Sequence, residues 1–238
     1  LAQLVNGATL RFNADVASLF ELDADLVIAC AGMGLADLTD GTTPLTGRLG
    51  QLESTPSKGA PNAIADGGYA VEAFGQLVFG ATFEAASGPP QITNTARSQN
   101  LETLARLRPD VEPTEIISRS AIRATTQDRL PFAGAAPQKE KAPDGTPAPC
   151  SPLRLIGGLG SRGFLWAPLL AELVASEAFD EPSPVEASVA ECLDPGRFLA
   201  RVVVDGPAGL KPEGVGQLSV KGLVREDFTV LVGNANAN

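Results

Sequence analysis

The chain has 238 residues, and 44% of them are hydrophobic, which is enough to build a buried core. It contains no histidine, which excludes a Ser-His-Asp triad, a Cys-His pair and histidine-bound zinc or iron. The net charge of −10 argues against a general electrostatic grip on nucleic acid or on an anionic membrane, although it allows a local basic patch.

Cysteine spacing and hydropathy narrow the class of protein further. The three cysteines, Cys30, Cys150 and Cys192, are far apart and form no CxxC pair. We therefore expect no metal site and a reduced protein of the cytoplasm. No apolar run reaches the length of a membrane-spanning helix, so we expect no transmembrane segment and no membrane partner.

The pattern of apolar residues changes near residue 48. Before this point we predict strands at 8–12 and 24–30, and the apolar run 26–29 is typical of a strand that is buried on both faces. After it, alternating residues and turn residues predict an antiparallel region. The predicted strands of this region are 48–53, 69–73, 76–83 and 115–125.

One helix interrupts the antiparallel region. Residues 93–107 carry leucines at core spacing, with Thr93 or Asn94 as N-cap. The following segment 137–152 holds five prolines and a glycine, which predicts an irregular loop.

The last third of the chain returns to longer apolar runs. A buried strand is predicted at 153–159, followed by a helix from about 164 to 178 with Pro168 in its first turns. Residues 185–203 suggest two short helices, and 218–232 has enough Val and Leu for a strand or two. The pattern as a whole predicts a mixed fold, an α/β layer plus an α+β layer.

A glycine-rich segment at 157–163, Gly-Gly-Leu-Gly-Ser-Arg-Gly, joins a predicted strand to a predicted helix. Glycine lets the backbone approach a ligand, and a helix N-terminus offers N–H groups and positive potential. Both suit a pyrophosphate or an electron-rich ring edge. The segment is not the G-x-G-x-x-G dinucleotide fingerprint in its usual N-terminal place, and glycine also serves tight turns. Either a ligand-binding turn or a purely structural turn fits these residues.

Two further segments could contact a ligand. Arg123 ends a predicted strand, where its guanidinium could meet a substrate carboxylate. The alternative is that Arg123 pairs with a structural acid, while Asp128 and Arg129 form a solvated turn. The small residues at 29–32, Ala-Cys-Ala-Gly, would let a flat ring or a sugar lie against the backbone, or would simply pack closely.

Taken together, longer stretches resemble a known family. They are DADLVIACAG (23–32), PLTGRLGQLES (44–54), GGYAVEAFGQLVFGATFE (67–84), SRSAIRATTQDRLPFAGAAP (118–137) and LRLIGGLGSRGFLWAPLLAELVASE (153–177). In this order they resemble the C-terminal half of D-amino-acid-oxidase-type flavoproteins. Within that family they are most similar to the oxidoreductase domain of the bifunctional tRNA 5-methylaminomethyl-2-thiouridine biosynthesis proteins.

The resemblance implies FAD as cofactor and tRNA as partner. It implies that FAD takes a hydride from the carbon beside a secondary amine, after which the imine hydrolyses and a carboxymethyl group leaves the modified wobble uridine. This chemistry needs no histidine. The family match makes Arg123 the ligand of the substrate carboxylate and Arg162 a neighbour of flavin and substrate. The residues implied to bind the cofactor are Ala29, Ala31, Gly32, Gly158, Gly160, Ser161 and Gly163.

The resemblance also implies a domain plan. Residues 1–47 and 150–203 would form a partial Rossmann-like FAD-binding layer, residues 48–149 an antiparallel substrate domain, and residues 204–238 an unassigned tail. Two alternatives remain. Glycine- and sarcosine-type oxidases share this plan but act on small secondary amines. The N-terminal strand–GxGxxG–helix fingerprint with its acidic ribose ligand is absent, so the chain could also be a non-catalytic fragment that works only if the missing half is supplied.

Overall fold

The computed structural model of the chain describes residues 8–14, 16, 22, 24–39, 41–57, 59, 62–137, 153–199 and 229–232. The strands are β1 (Thr9–Phe12), β2 (Val27–Ala29), β3 (Thr46–Pro56), β4 (Ile64–Ala65), β5 (Tyr69–Ala73), β6 (Gln76–Gly80), β7 (Glu84–Ala85), β8 (Ile117–Thr125), β9 (Phe132–Ala135), β10 (Leu153–Gly157) and β11 (Thr229–Val232). The helices are α1 (Leu35–Leu38), α2 (Asn94–Leu107), α3 (Gly163–Phe179) and α4 (Ala187–Leu193). The predictions for 138–152 and 204–228 fall outside the described residues.

The chain divides into two compact units. Unit 1 combines Leu1–Leu45 with Ala124–Asn238, and unit 2 is the continuous segment Thr46–Arg123. The sequence assigned 48–149 to the antiparallel domain, whereas unit 2 ends at Arg123. The difference arises because β9 pairs with β10 of unit 1 rather than with the sheet of unit 2.

Unit 1 is built around β10, the middle strand of a three-stranded sheet in the order β2-β10-β9. Leu153 lies opposite Val27 in a parallel pair, and Arg154 lies opposite Ala135 in an antiparallel pair. All five residues of β10 are buried, as predicted for this strand, although its second residue is Arg154. A separate two-stranded sheet pairs β1 with β11 in parallel.

Strand β2 corrects one prediction. The sequence places a strand buried on both faces at 24–30, but β2 covers only Val27–Ala29, and Ile28 is 43% exposed. The reason is its position in the sheet. In the part of the chain that the structure describes, β2 is an edge strand that pairs with β10 alone, so one of its sides is open.

Helix α3 covers the three-stranded sheet. Its residues Leu170, Leu173 and Val174 form one buried cluster with Ala133 of β9 and Ile156 of β10. The helix begins directly after the glycine-rich turn, one residue before the predicted start. It continues through its internal proline, which lies in the second turn rather than the first. Among the described helices, none is both long enough and apolar enough to cross a membrane.

Unit 2 is a six-stranded sheet with one helix. The strand order is β4-β5-β6-β3-β7, and β8 also pairs with β3. Helix α2 buries Leu104 with Ala70, Leu77 and Phe79 of the sheet. The predicted cap is confirmed, because the hydroxyl of Thr93 accepts a hydrogen bond of 3.2 Å from the N–H of Ala96.

A buried polar network joins β3, β8 and α2. Its centre is the carboxylate of Glu53, which is fully buried. Glu53 accepts hydrogen bonds from the amides of Gln51 (2.8 Å) and Asn100 (3.3 Å) and from the hydroxyl of Ser118. The guanidinium of Arg97 lies 3.9 Å from it and also donates to Ser118. The donors offset the cost of burying this charge.

In unit 1 an ion pair closes the turn after β8. The side chains of Asp128 and Arg197 are 12% and 10% exposed, and their nearest charged atoms are 3.1 Å apart. Burial alone would raise the pKa of Asp128. Hydrogen bonds, above all from Arg197, lower the pKa to about 2 instead. The alternative of a freely solvated turn at Asp128 is therefore wrong.

Because of the Asp128–Arg197 ion pair, we expect the stability of unit 1 to depend on pH. The pKa of Asp128 is lowered to about 2 in the folded state. The ionised carboxylate therefore stabilises the fold at neutral pH, and this stabilisation is lost as the pH falls from about 4 to 2. Asp128→Asn should lower the free energy of unfolding at pH 7 by about 2 kcal/mol. Urea unfolding followed by the fluorescence of Trp166 in unit 1 measures this change.

Asp110 provides a matched control. It also pairs with an arginine, Arg108, but its side chain is 63% exposed, so solvent and salt screen the pair. Asp110→Asn should change stability much less than Asp128→Asn. An equal effect of the two substitutions at pH 7 would contradict the structural role of Asp128.

Candidate functional site

Unit 1 contains a cavity of about 340 Å³ where β10 ends and α3 begins. Small-molecule sites range from about 300 to 1,000 Å³, so this cavity can hold one ring system or part of a larger ligand. Its walls are glycine backbone and small or apolar side chains, including Gly32, Gly158, Gly160, Ala167 and Ala171. Such walls suit a flat, largely apolar group.

The glycine-rich turn forms one wall because its backbone takes left-handed conformations. Gly158 has φ +67° and Gly160 has φ +56°, which favour glycine. A Cβ on Gly158 would also lie 2.7 Å from a methyl carbon of Thr126. The N–H of Gly160 donates to the carbonyl of Ala124 (2.9 Å), which fixes the turn beside the end of β8. The turn has a structural role and lines the cavity as well.

The rest of the motif lies at the N-terminus of α3. Ser161 and Arg162 are exposed in the turn, and the carbonyl of Arg162 accepts the N–H groups of Leu165 and Trp166, both at 3.0 Å. No side chain caps this end of α3. Gly163 is the first helical residue, and a Cβ there would make only an ordinary contact with Leu159. These three predicted residues flank the cavity rather than line it.

The segment 29–32 divides between core and cavity. Ala29 is buried in the hydrophobic core of unit 1, and Ala31 is exposed just outside the lining. Gly32, with φ +59° and open space where a Cβ would be, lines the cavity together with Cys30. Desolvation raises the pKa of the Cys30 thiol, although the residue stays accessible to solvent.

The residues present fit the flavin end of FAD. A ring can lie against the backbone of Gly32, where a Cβ would meet open space, and Gly158 and Gly160 line the same cavity. The unpaired N–H groups of a helix N-terminus provide positive potential nearby. The cavity volume suits the ring rather than the whole dinucleotide.

Unit 2 holds Arg123 in a defined position on β8. Its guanidinium donates to the carbonyl of Thr82 (3.2 Å) and lies 5.8 Å from the ring centre of Phe83. It occupies the space above Gly50, since a Cβ built on Gly50 would overlap the guanidinium. Burial raises the pKa of Tyr69, and the positive charge of Arg123 lowers it in part, so the phenol lies within the electrostatic reach of Arg123.

A second arginine reaches the same aromatic ring. The guanidinium of Arg48, on β3, also lies 5.8 Å from the ring centre of Phe83. The sequence analysis did not identify Arg48, Gly50, Tyr69 or Phe83. One signal was available, because a glycine inside a strand, such as Gly50, often marks a close approach by another group.

Arg123 differs from the paired arginines of unit 2. Arg97, Arg106 and Arg108 each have a carboxylate within 4.0 Å. Arg123 has no such partner among the residues that the structure describes, which disfavours the alternative of a structural ion pair. Within the same residues, no group of three or more acidic or cysteine side chains could hold a metal ion.

Curated relatives share much of this sequence. The chain is similar to the tRNA 5-methylaminomethyl-2-thiouridine biosynthesis bifunctional protein MnmC of Burkholderia multivorans, with 37% identity over 67% of the chain and 27% of the relative. The protein of the same name from Caulobacter sp. K31 is 35% identical over 76% of the chain and 29% of the relative. The chain thus spans just over a quarter of these relatives.

Solved structures share the fold. Iminodiacetate oxidase from Chelativorans sp. BNC1 superposes with a TM-score of 0.60 and 22% identity over 73% of this chain and 47% of that one. Glycine oxidase from Geobacillus kaustophilus superposes with a TM-score of 0.55 and 23% identity, over 70% of this chain and 45% of that one. These likenesses confirm the predicted combination of a Rossmann-like layer and an antiparallel sheet. Residues 2–177 match the profile of the FAD dependent oxidoreductases, named DAO. The chain belongs to the DAO family of FAD-dependent oxidoreductases.

Proposed function

We propose that this chain provides the flavin-ring and substrate-carboxylate contacts of an enzyme that oxidatively removes an N-carboxymethyl group from a secondary amine. The observation that carries the proposal is Arg123, a fixed guanidinium without an acidic partner among the described residues. A substrate carboxylate can make charge-assisted hydrogen bonds to it. The names of the curated relatives support a modified wobble uridine of tRNA as the amine.

Each residue has a separate task in this reaction. When bound, FAD supplies the acceptor for the hydride that leaves the carbon beside the amine. Gly32, Gly158 and Gly160 would hold the ring, and the charge of Arg162 would stabilise negative charge on it. Arg123 would bind the carboxylate and so orient the methylene carbon. Water then hydrolyses the substrate imine, which releases glyoxylate and a primary amine.

The proposal is tested with the full chain after incubation with FAD. We expect anaerobic addition of tRNA that carries 5-carboxymethylaminomethyl-2-thiouridine to bleach the flavin and to release one glyoxylate per flavin reduced. The N-terminal part of the family domain is added in trans as a second arm, because this chain covers only 47% of iminodiacetate oxidase, which shares its fold. Turnover of sarcosine but not of tRNA would favour a small amine oxidase. Loss of flavin in both arms would support the non-catalytic alternative.

Cys30 gives a test of the flavin site that does not depend on activity. Its thiol lies in the cavity wall, so bound FAD should slow its reaction with a neutral maleimide. Cys192 is also exposed but does not line the cavity, so FAD should leave its rate unchanged. Peptide mapping by mass spectrometry reports both rates, and equal rates at Cys30 with and without FAD would place the flavin elsewhere.

A further inference from the structure

We propose that Arg48 binds a second anionic group of the substrate, next to the carboxylate at Arg123. The inference rests on the proposed function and adds a property of the substrate: it is a secondary amine that carries two oxyanions. The shared chemistry is an oxygen anion recognised by a guanidinium, and its source is a second carboxylate or a nucleotide phosphate.

Two positive charges meet at one aromatic ring. Arg48 and Arg123 each lie 5.8 Å from the ring centre of Phe83. The ring is 54% exposed, and both arginines are partly exposed to solvent. A cation over an aromatic face is stabilised by only about 0.5–1 kcal/mol at an exposed site. That gain is modest, and it does not remove the repulsion between two like charges.

The surrounding residues do not neutralise this pair. Neither arginine has a carboxylate partner among the residues that the structure describes, whereas Arg97, Arg106 and Arg108 of the same unit do. Glu84, an acidic residue of the neighbouring strand β7, lies in register with Leu49. Because side chains alternate along a strand, Glu84 belongs to the opposite face of the sheet from Arg48.

Local geometry keeps the two arginines together. Arg48 and Gly50 are two residues apart on β3 and therefore share a face. Since the guanidinium of Arg123 occupies the space above Gly50, both cations lie on this face. One carboxylate can occupy Arg123, and Arg48 then remains for a second anion of the same molecule. This arrangement selects for a substrate with two negative charges.

The test measures binding of three compounds to the full chain by isothermal titration calorimetry. All three contain an N-carboxymethyl amine. Sarcosine has no second anion, iminodiacetate has a second carboxylate, and N-(phosphonomethyl)glycine has a phosphonate that represents a phosphate. We expect the wild-type chain to bind at least one dianion about 10-fold more tightly than sarcosine, the fold-change that corresponds to one charge-assisted hydrogen bond.

Variants assign this preference to Arg48. Arg48→Met should abolish the preference and leave sarcosine binding unchanged, whereas Arg48→Lys should retain part of it because the charge stays. Arg119→Met is the control, since Arg119 is exposed on β8 and lies in the same chain segment as Arg123. It should change no affinity.

Each outcome decides the inference. A preference for iminodiacetate alone supports a free dicarboxylate amine, and a preference for the phosphonate alone supports a nucleotide phosphate. If Arg123→Met weakens all three compounds while Arg48→Met leaves the preference intact, the inference is wrong and the proposed function stands. If Arg123→Met weakens none of them, the carboxylate role of Arg123 fails and the inference fails with it. If none of the three binds, the inference is wrong, and the tRNA assay alone decides the proposed function.

Discussion

Glu53→Leu should lower the free energy of unfolding of unit 2 by about 3–5 kcal/mol. The substitution removes the acceptor of three hydrogen bonds, from Gln51, Asn100 and Ser118. The amides of Gln51 and Asn100 would each keep one bond to a backbone carbonyl, but all three donors would lose the carboxylate acceptor, and an unsatisfied buried group costs about 1–3 kcal/mol. The positive charge of Arg97 would also lose its carboxylate. Urea unfolding followed by the absorbance of Tyr69, the only tyrosine, measures the effect in unit 2.

Two further substitutions separate the charge from the hydrogen bonds. Glu53→Gln keeps the shape and one acceptor oxygen, so it should cost less than Glu53→Leu. Glu102→Leu removes an exposed carboxylate of α2 and should change the free energy of unfolding by no more than about 0.5 kcal/mol. Similar losses for Glu53→Leu and Glu102→Leu would show that the network does not hold α2 to the sheet.

Gly50→Ala should weaken the apparent affinity for an N-carboxymethyl amine by about 10- to 150-fold, as much as Arg123→Met. The added Cβ would overlap the guanidinium of Arg123 and displace it from the carbonyl of Thr82. The effect should appear in KM more than in kcat, because the carboxylate contact is a binding contact. Stability should change little, since the displaced atoms are the end of a flexible side chain.

A glycine in open space provides the control. A Cβ on Gly88 would meet no atom within 4 Å, so Gly88→Ala should leave KM unchanged. The double variant Gly50→Ala/Arg123→Met should be no worse than either single variant, because both remove the same contact. Additive losses would mean that Gly50 acts independently of Arg123, and an unchanged KM for Gly50→Ala would refute its positioning role.

The sequence predicted the elements with strong local signals. Strand β10 is rich in Leu and Ile, and α2 has a capping threonine with leucines at core spacing, so both were predicted close to their observed bounds. Strand β9 was missed, because its four residues are too few to show a period. Its pairing with β10 is a long-range contact, which local patterns do not encode.

The candidate site was predictable only in part. The cluster of glycines identified the turn at Gly158 and Gly160, because a left-handed backbone conformation favours glycine. The arginine at the end of β8 was found through a family resemblance. Arg48 and Phe83 were not found, since they belong to different strands and meet only after the sheet has formed. The spacing of residues along the chain does not indicate that Arg48 and Phe83 are in contact.

The division of the chain implies an order of folding. Unit 2 is continuous, so a ribosome delivers all of it before residue 124 emerges, and its strands pair with one another. The three-stranded sheet of unit 1 forms later, because Val27 can pair with Leu153 only after the whole of unit 2 has been synthesised. Closing that long loop is slow compared with hairpin formation. During synthesis, β2 therefore lacks β10, which is its only partner among the described strands, and its open edge is a site that a chaperone could protect.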